Sequence, residues 1–456
     1  MNVDEALKRV AVLGAAGKMG SGIATLLLQE MARSEASTLG QVGSGEYRLV
    51  LIDSNEKALI QLRRQLRSHL TKYSEKNINA LRQYYANNPK LVSNEEMIDA
   101  FVEGALDCVR MDIDPYHAVG AHLVFEAIAE DLQAKTQIFS ALNKMKKGTQ
   151  YYLSNTSSIP ISVLNEQSYL KNTLVGFHFY NPPAVQKILE IVIPENTDPE
   201  LALLVPELGK RLNKVMVTAD DVAGFIGNGY FIRELTEACQ MAKKLASERS
   251  WELPKAVYAI DRVMKTYLLR PMGVFQLMDY IGIDICCNIA KTMQQYIPNE
   301  TFGDVWMQTL VEQGVRGGQH PDGTQKPGCF QYEHHHVSGV YDIELKKYLS
   351  VTSFTEEVDA ALGIHSKVLT HSQARQEKQE ALYAYLQKIW LGDTLGVRLA
   401  KQFTTHTQNI AQHLVVTRVV KNLEDLDTVL KDGFFHLYGT QEIPKINAEF
   451  AMRGKR

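Results

Sequence analysis

Val10-Ala-Val-Leu13 runs directly into Gly14-Ala-Ala-Gly17-Lys18-Met19-Gly20-Ser-Gly22-Ile-Ala. Four apolar residues in a row suit a strand buried on both faces, the glycines suit a turn, and the residues after them suit a helix start. In that order they make the first βα unit of a doubly wound α/β domain of Rossmann type. Gly14 permits the tight turn, Gly17 lets the backbone approach a pyrophosphate, and Gly20 lets the helix pack closely on the strand. The helix N-terminus, opened by Lys18 and Met19, then faces the phosphates of a dinucleotide. The spacing G-x-x-G-x-x-G is one residue longer than G-x-G-x-x-G, and the position between strand and helix gives the motif its meaning.

Outward from this turn, 49–52 reads as the second strand and ends at Asp53. A carboxylate there accepts hydrogen bonds from the adenosine ribose and repels a 2′-phosphate, which points to NAD rather than NADP. The same residue reads as a turn or N-cap aspartate before Ser54-Asn55-Glu56, and the two roles are compatible. Asp53 follows Gly20 by 33 residues, more than the roughly 20 usual in such a unit. The excess falls at 34–46, read as a loop that enters the start of the second strand, away from the strand ends that hold ligand.

Short apolar runs at 122–126, 151–154, 174–179 and 188–193 are further strands, with helical patterns at 20–31, 56–73 and 133–146. This alternation is that of βαβ units around a parallel sheet. After about residue 220 strand patterns cease. Segments 225–247, 253–267 and 284–295 have helical period, a turn-rich stretch covers 317–328, and 340–456 is again mostly helical. The expected organisation is a dinucleotide domain over 1–220, a helical domain over 221–338 and a second helical segment over 339–456. Ile260-Asp261 through Gly273 is echoed by Leu426-Asp427 through Gly439 at a constant offset of 166 residues. The echo favours a degenerate duplication, although an apolar–Asp pair at a helix start is common.

A chain of 456 residues, 45% hydrophobic and 22% charged, can bury large cores without disulfides or metals. A net charge of −3 argues against a general nucleic-acid binder. Cys108, Cys239, Cys286, Cys287 and Cys329 form no C-x-x-C pair and are odd in number, which suits reduced packing thiols. The opening MNVDEALKRV carries no apolar signal or Arg/Ser-rich presequence. No run approaches the roughly 18–20 apolar residues of a spanning helix, and the final RGKR is not a peroxisomal address. The expectation is a cytoplasmic protein with no membrane span.

Further motifs come in order along the chain. They are Phe125-Glu-Ala-Ile-Ala-Glu130-Asp-Leu-Gln-Ala-Lys135, Ser154-Asn155-Thr-Ser157-Ser, and His178-Phe-Tyr-Asn181-Pro-Pro with Glu190 twelve residues beyond His178. Asp221-Val-Ala-Gly224-Phe225-Ile-Gly-Asn228 opens the helical part, and Pro271-Met-Gly273-Val-Phe-Gln-Leu-Met-Asp279 lies within it. Their order and spacing resemble the 3-hydroxyacyl-CoA dehydrogenase family over about residues 8–332. The resemblance implies NAD-dependent oxidation of a 3-hydroxyacyl-CoA to its 3-oxoacyl-CoA, as in fatty-acid β-oxidation. It implies His178 as general base, Glu190 as its orienting carboxylate, and Ser157 and Asn228 on the substrate oxygens. It places Glu130, Lys135 and Asn181 near the nicotinamide side of the cofactor, with Asn155 and Ser157 also in the cofactor site. Ser68, His69 and Lys76, on the helix after the second strand, fall where the family lays its CoA moiety.

The residue types suit that reaction. A secondary alcohol that gives up hydride needs a base for its hydroxyl proton, and an imidazole of pKa about 6.5 works near neutral pH. A carboxylate on the far nitrogen fixes the tautomer and stabilises the imidazolium. Taken alone, a strand histidine is more often a packed or surface group, and Glu190 reads equally as an outward strand residue. Ser157 reads equally as an N-cap for the segment after Pro160, and Lys76 as part of a solvated helix face.

The sequence departs from the family pattern in its longer glycine loop and in Gly229, where the family usually has Arg after the Asn. Residues 326–332 match the family's glycine–aromatic ending only loosely. These departures bear on substrate range and turnover more than on fold. The His334-His335-His336 run lacks the carboxylate or cysteine spacing of a metal cage, so no metal is expected. Two rival readings are a short-chain β-hydroxyacid dehydrogenase, which uses a helical-domain lysine as acid/base, and a non-catalytic protein of the same fold. The joint presence of Ser157, His178, Glu190 and Asn228 favours the acyl-CoA enzyme. Family members with one helical domain dimerise through it. The tail, without a counterpart of His178, is expected to pack on the first helical domain in a partner's place. That would give a monomer with an internal pseudo-dimer, and failing that a homodimer.

Overall fold

A computed structural model describes residues 1–146, 148–320, 323–334, 336–364 and 368–443. His335 and the C-terminal RGKR lie outside the described residues. The chain divides after Asp221 into two compact units, one residue beyond the expected boundary.

In the first unit one sheet contains β1 Arg9–Leu13, β2 Arg48–Ile52, β3 Val109–Asp112, β4 Leu123–Glu126, β5 Tyr151–Ser154, β6 Leu174–Phe179, β7 Ile188–Val192 and β8 Val215–Ala219. The spatial order is β3-β2-β1-β4-β5-β6-β7-β8. The first six strands pair in parallel, which is the doubly wound arrangement. β7 then runs antiparallel to β6, and β8 runs parallel to β7. The inner strands β4, β5, β6 and β7 are buried at every position, which is why they read as mainly apolar runs. β3 and β8 escape that criterion because they are the two edges of the sheet and are only partly covered.

The helix after the glycine turn spans Lys18–Leu39 and stops at Gly40 in the left-handed conformation. Nearly half of the stretch expected as loop at 34–46 is therefore helix. Its remainder is a turn gathered by buried Glu35, which accepts from the amides of Gly43 (2.9 Å) and Ser44 (2.8 Å). That turn leads into the start of β2, opposite the carboxyl ends where such sheets hold ligand.

The second unit begins with helices Gly227–Arg249, Leu253–Tyr267, Val274–Ile281, Ile283–Tyr296 and Val305–Glu312. Later come Thr355–Leu362, Gln379–Trp390 and Leu395–Val416. Between these sets lies an antiparallel sheet of β9 Phe330–Glu333, β10 His336–Asp342 and β11 Lys347–Ser350. The sequence reading places no strand after about residue 220, and these three are the exception in an otherwise helical unit. These strands are short and incompletely buried, so their period-2 pattern is faint. The division placed at 338/339 falls inside β10. One hydrophobic core joins both sides of it, with Phe231, Ile260 and Phe275 packed in the same cluster as Phe354, Leu386 and Phe403.

The two halves of the 166-residue echo have similar local structure. A shift of 166 residues carries Gly227–Arg249 onto Leu395–Val416 to within two residues. Asp261 accepts from the amides of Phe275 (3.0 Å) and Gln276 (3.2 Å), while Asp427 accepts from those of Thr440 (2.6 Å) and Gln441 (3.3 Å). A Cβ at Gly273 would fall 2.0 Å from the Asp261 carboxyl carbon, and one at Gly439 2.2 Å from that of Asp427. The same carboxylate-over-glycine clamp thus occurs at both positions. Among the described residues no helix is long and apolar enough to cross a membrane.

Candidate active site

The glycine turn sits at the end of β1. Gly14 has φ +73°, and a Cβ there would lie 2.5 Å from the Ala127 carbonyl oxygen. A Cβ at Gly20 would lie 2.0 Å from the Gly14 carbonyl oxygen. Gly20 is thus required by the backbone of the turn itself rather than by helix–strand packing. The helix opened by Lys18 and Met19 carries no side-chain cap at Gly17, and a helix start of this kind holds anionic groups through its amides. Asp53 accepts from the amides of Ala16 (3.0 Å) and Asn55 (3.0 Å), tying the glycine turn to the end of β2. The N-cap of the next helix, Glu56–Lys76, is Asn55, which accepts from the Ala58 amide at 3.1 Å. The Asp53 carboxylate keeps acceptor capacity beyond its two amides, as ribose hydroxyls require. These features fit a dinucleotide.

Beside the turn, β4 ends in Glu126, which is fully buried. It accepts from Lys135 Nζ (2.6 Å), Ser154 Oγ (2.5 Å) and the Ile128 amide (2.8 Å). Lys135, also buried, lies 3.3 Å from Glu130 as well. The two carboxylates raise its pKa against the opposing effect of burial, and Lys135 in turn is the main influence lowering that of Glu130, again against burial. Glu130 Oε1 accepts from Thr156 Oγ1 (2.7 Å), Ser158 Oγ (2.8 Å) and the amides of Ser157 (3.0 Å) and Ser158 (3.1 Å). Glu130 and Lys135 therefore fix the loop after β5. Ser157 is not the N-cap of the helix Ile161–Gln167, because the Asp221 carboxylate takes the amides of Ile161 (2.5 Å) and Ser162 (2.8 Å). Asn155 in the same loop accepts from the Phe179 amide at 2.9 Å and joins it to β6.

His178 on β6 and Glu190 on β7 are registered partners. His178 Nδ1 lies 2.8 Å from Glu190 Oε2, and Glu190 is fully buried. Tyr180 Oη donates to Glu190 Oε1 at 2.8 Å. Sequence reasoning misses Tyr180, although a hydroxyl between His178 and Asn181 is the available signal. Asn181 Oδ1 is buried and meets no donor among the described residues. Lys214 Nζ holds the following segment by donating to the carbonyls of Pro183 (2.6 Å) and Gln186 (2.7 Å). Pro183 in turn leaves no room for a side chain at Gly22, where a Cβ would fall 2.7 Å from its ring.

Ser68, His69 and Lys76 lie on the exposed face of Glu56–Lys76, with His69 Nδ1 3.3 Å from Thr25 Oγ1. Asn228 belongs to the second unit, in the first turn of Gly227–Arg249. Beside it, the Gly229 carbonyl accepts from Arg233 Nη1 at 2.8 Å, so a guanidinium reaches this turn from one turn further along. Among the described residues no group of His, Cys, Asp or Glu is arranged to hold a metal ion.

A doubly wound fold whose glycine turn fits a dinucleotide, with a buried histidine–carboxylate pair across β6 and β7, is the arrangement of an NAD-binding oxidoreductase. Residues 9–222 match the 3-hydroxyacyl-CoA dehydrogenase NAD binding domain, and residues 224–326 match the C-terminal domain of the same family. The chain belongs to the 3-hydroxyacyl-CoA dehydrogenase family. It is 30% identical over 238 residues to a probable 3-hydroxybutyryl-CoA dehydrogenase of Deinococcus radiodurans, covering 52% of this chain and 82% of that one. It is 30% identical over 279 residues to the mitochondrial hydroxyacyl-coenzyme A dehydrogenase of Sus scrofa, covering 61% and 77%. The crystal structure of 3-hydroxybutyryl-CoA dehydrogenase from Escherichia coli superposes with a TM-score of 0.62 at 20% identity over 96% of this chain and 90% of that one. That likeness of fold takes in the tail as well.

Proposed function

We propose that this protein oxidises the 3-hydroxyl group of a 3-hydroxyacyl-CoA to the 3-oxo group, as in fatty-acid β-oxidation, with His178 as the base. NAD, when bound, supplies the ring that accepts the hydride. The observation that carries the reading is the 2.8 Å contact of His178 Nδ1 with buried Glu190. With Nδ1–H donated to the carboxylate, an assignment that follows from the hydrogen-bond network, Nε2 is the nitrogen that takes the hydroxyl proton. Glu190 then stabilises the imidazolium that forms.

Ser157 and Asn228 are proposed to hydrogen-bond the substrate oxygens. Glu130 and Lys135 serve the cofactor site by holding the loop that carries Asn155 and Ser157. Asn181 Oδ1 is an acceptor suited to a donor on the nicotinamide side. Ser68, His69 and Lys76 offer polar and cationic groups to a CoA moiety, Lys76 as a point charge.

All five cysteines are free, which supports a reducing compartment such as the cytoplasm. The packing of Leu395–Val416 on Gly227–Arg249 supports a monomer. The direct test follows NADH absorbance with acetoacetyl-CoA, the reaction run in reverse. Steady NADH consumption is expected, and its absence in folded protein sinks the assignment.

A further inference from the structure

The Glu190 carboxylate has two oxygens, and His178 engages one of them. Tyr180 Oη donates to the other at 2.8 Å. Its ring centre lies 5.3 Å from that of the imidazole, tilted by 40°. Burial and the Glu190 charge push the phenol ionisation well above the ordinary tyrosine range, so Tyr180 stays a donor throughout the working pH. On the other side of β7, the residue in register with Glu190 is the apolar Val217. Glu190 is thus held between an imidazole and a phenol, both from the His178-Phe-Tyr segment.

We infer that Tyr180 is a positioning residue for the reaction, holding the second Glu190 oxygen and drawing off part of its charge, and so setting how tightly the His178–Glu190 dyad holds a proton. The inference rests on His178 being the base. Without the phenol, the buried carboxylate loses a donor on its second oxygen. The state with neutral imidazole then loses more than the state with imidazolium, and the dyad holds its proton more tightly. One hydrogen bond to a charged group is worth enough to raise an apparent pKa by about one unit, about tenfold in proton affinity.

The test titrates the His178 imidazole by NMR in the cofactor-free full chain, its signal identified by loss in His178→Ala. Tyr180→Phe is expected to raise the dyad's apparent pKa by about one unit. It should move the acid limb of kcat/KM for 3-hydroxybutyryl-CoA upward by the same amount. Replacing Tyr180 with 3-fluorotyrosine, a stronger donor, is expected to shift both downward. In a Glu190→Gln background Tyr180→Phe should move neither. An unshifted His178 titration in folded Tyr180→Phe, or in the 3-fluorotyrosine protein if Tyr180→Phe does not fold, overturns the inference. Normal turnover in His178→Ala would instead remove the base assignment on which it rests, and the titration separates the two failures.

Discussion

His178 and Glu190 stand directly opposite one another where β7 runs against β6, so a backbone ladder sets the distance between base and carboxylate. Opposed residues of such a pair have Cβ atoms about 4.5–5.5 Å apart, a span that these two side chains close with a 2.8 Å contact. His178→Ala is expected to reduce turnover of 3-hydroxyacyl-CoA by about two to four powers of ten. NAD affinity, followed by fluorescence titration, should barely change. Glu190→Gln should also lose turnover sharply, because the imidazole loses control of its tautomer. A His178→Ala enzyme with near-normal turnover would refute the mechanism.

Asp53 predicts cofactor choice. Its carboxylate is fixed by the Ala16 and Asn55 amides, so it cannot swing away from a 2′-phosphate. Rates with NAD should far exceed those with NADP, and Asp53→Ala should narrow the ratio. Equal rates in the parent enzyme would remove Asp53 from the ribose.

Lys214 predicts a pH dependence of stability. Burial lowers its pKa from 10.5 to about 8. Between those values the unfolded chain holds a proton that the folded protein has released, so folding stability gains from rising pH. The cost of the buried charge is present in full below pH 8 and gone above 10.5. Thermal melting of parent and Lys214→Met across this window should show the extra rise in the parent alone. Parallel curves would mean that Lys214 keeps an ordinary pKa despite its burial.

The glycine turn, Asp53 and the inner strands were legible in the sequence because each follows from local chemistry or from burial on both faces. What was hidden depends on contacts distant along the chain. Ser157 looked like a helix cap, but the capping carboxylate, Asp221, comes from 60 residues away. Glu130 and Lys135 match a cofactor pattern, but their engagement with each other and with the loop at 156–158 is not legible from it. Edge strands β3 and β8 lack the double-sided burial that marks their neighbours. Tyr180 gains meaning only when β7 folds back and brings Glu190 beside it.

The tail beyond β11 predicts an assembly effect. Phe403 and Leu414 are fully buried, and burying one such side chain stabilises by about 1.5–3 kcal/mol. Ending the chain at Ser350, which spares the sheet that a cut at 338 would split, should uncover apolar surface on Gly227–Arg249 and Leu253–Tyr267. Light scattering should then report dimers or aggregates. A truncated protein that stays monomeric and fully active would show that the tail covers no interface.

Gly229 predicts how tightly that tail is seated. A Cβ there would lie 3.5 Å from Arg233 Nη1 and 3.7 Å from Leu414 Cδ2. A methyl group fits such a space, but a long side chain does not. Gly229→Ala should melt like the parent. Gly229→Arg, which restores the usual family residue, should lose stability by about 1–3 kcal/mol, the ordinary cost of overpacking. Equal melting of the two variants would mean that the tail helix yields easily.

The seating of Leu395–Val416 against Gly227–Arg249 has one more effect. His406 lies 3.3 Å from Glu237, and His413 3.0 Å from Glu300, all within a single chain. An interface between two chains dissolves as protein is diluted below its dissociation constant. This one has no concentration term. The seating of this helix should therefore not loosen on dilution from micromolar stock to the most dilute assay, whereas the same surface borrowed from a second chain would come away.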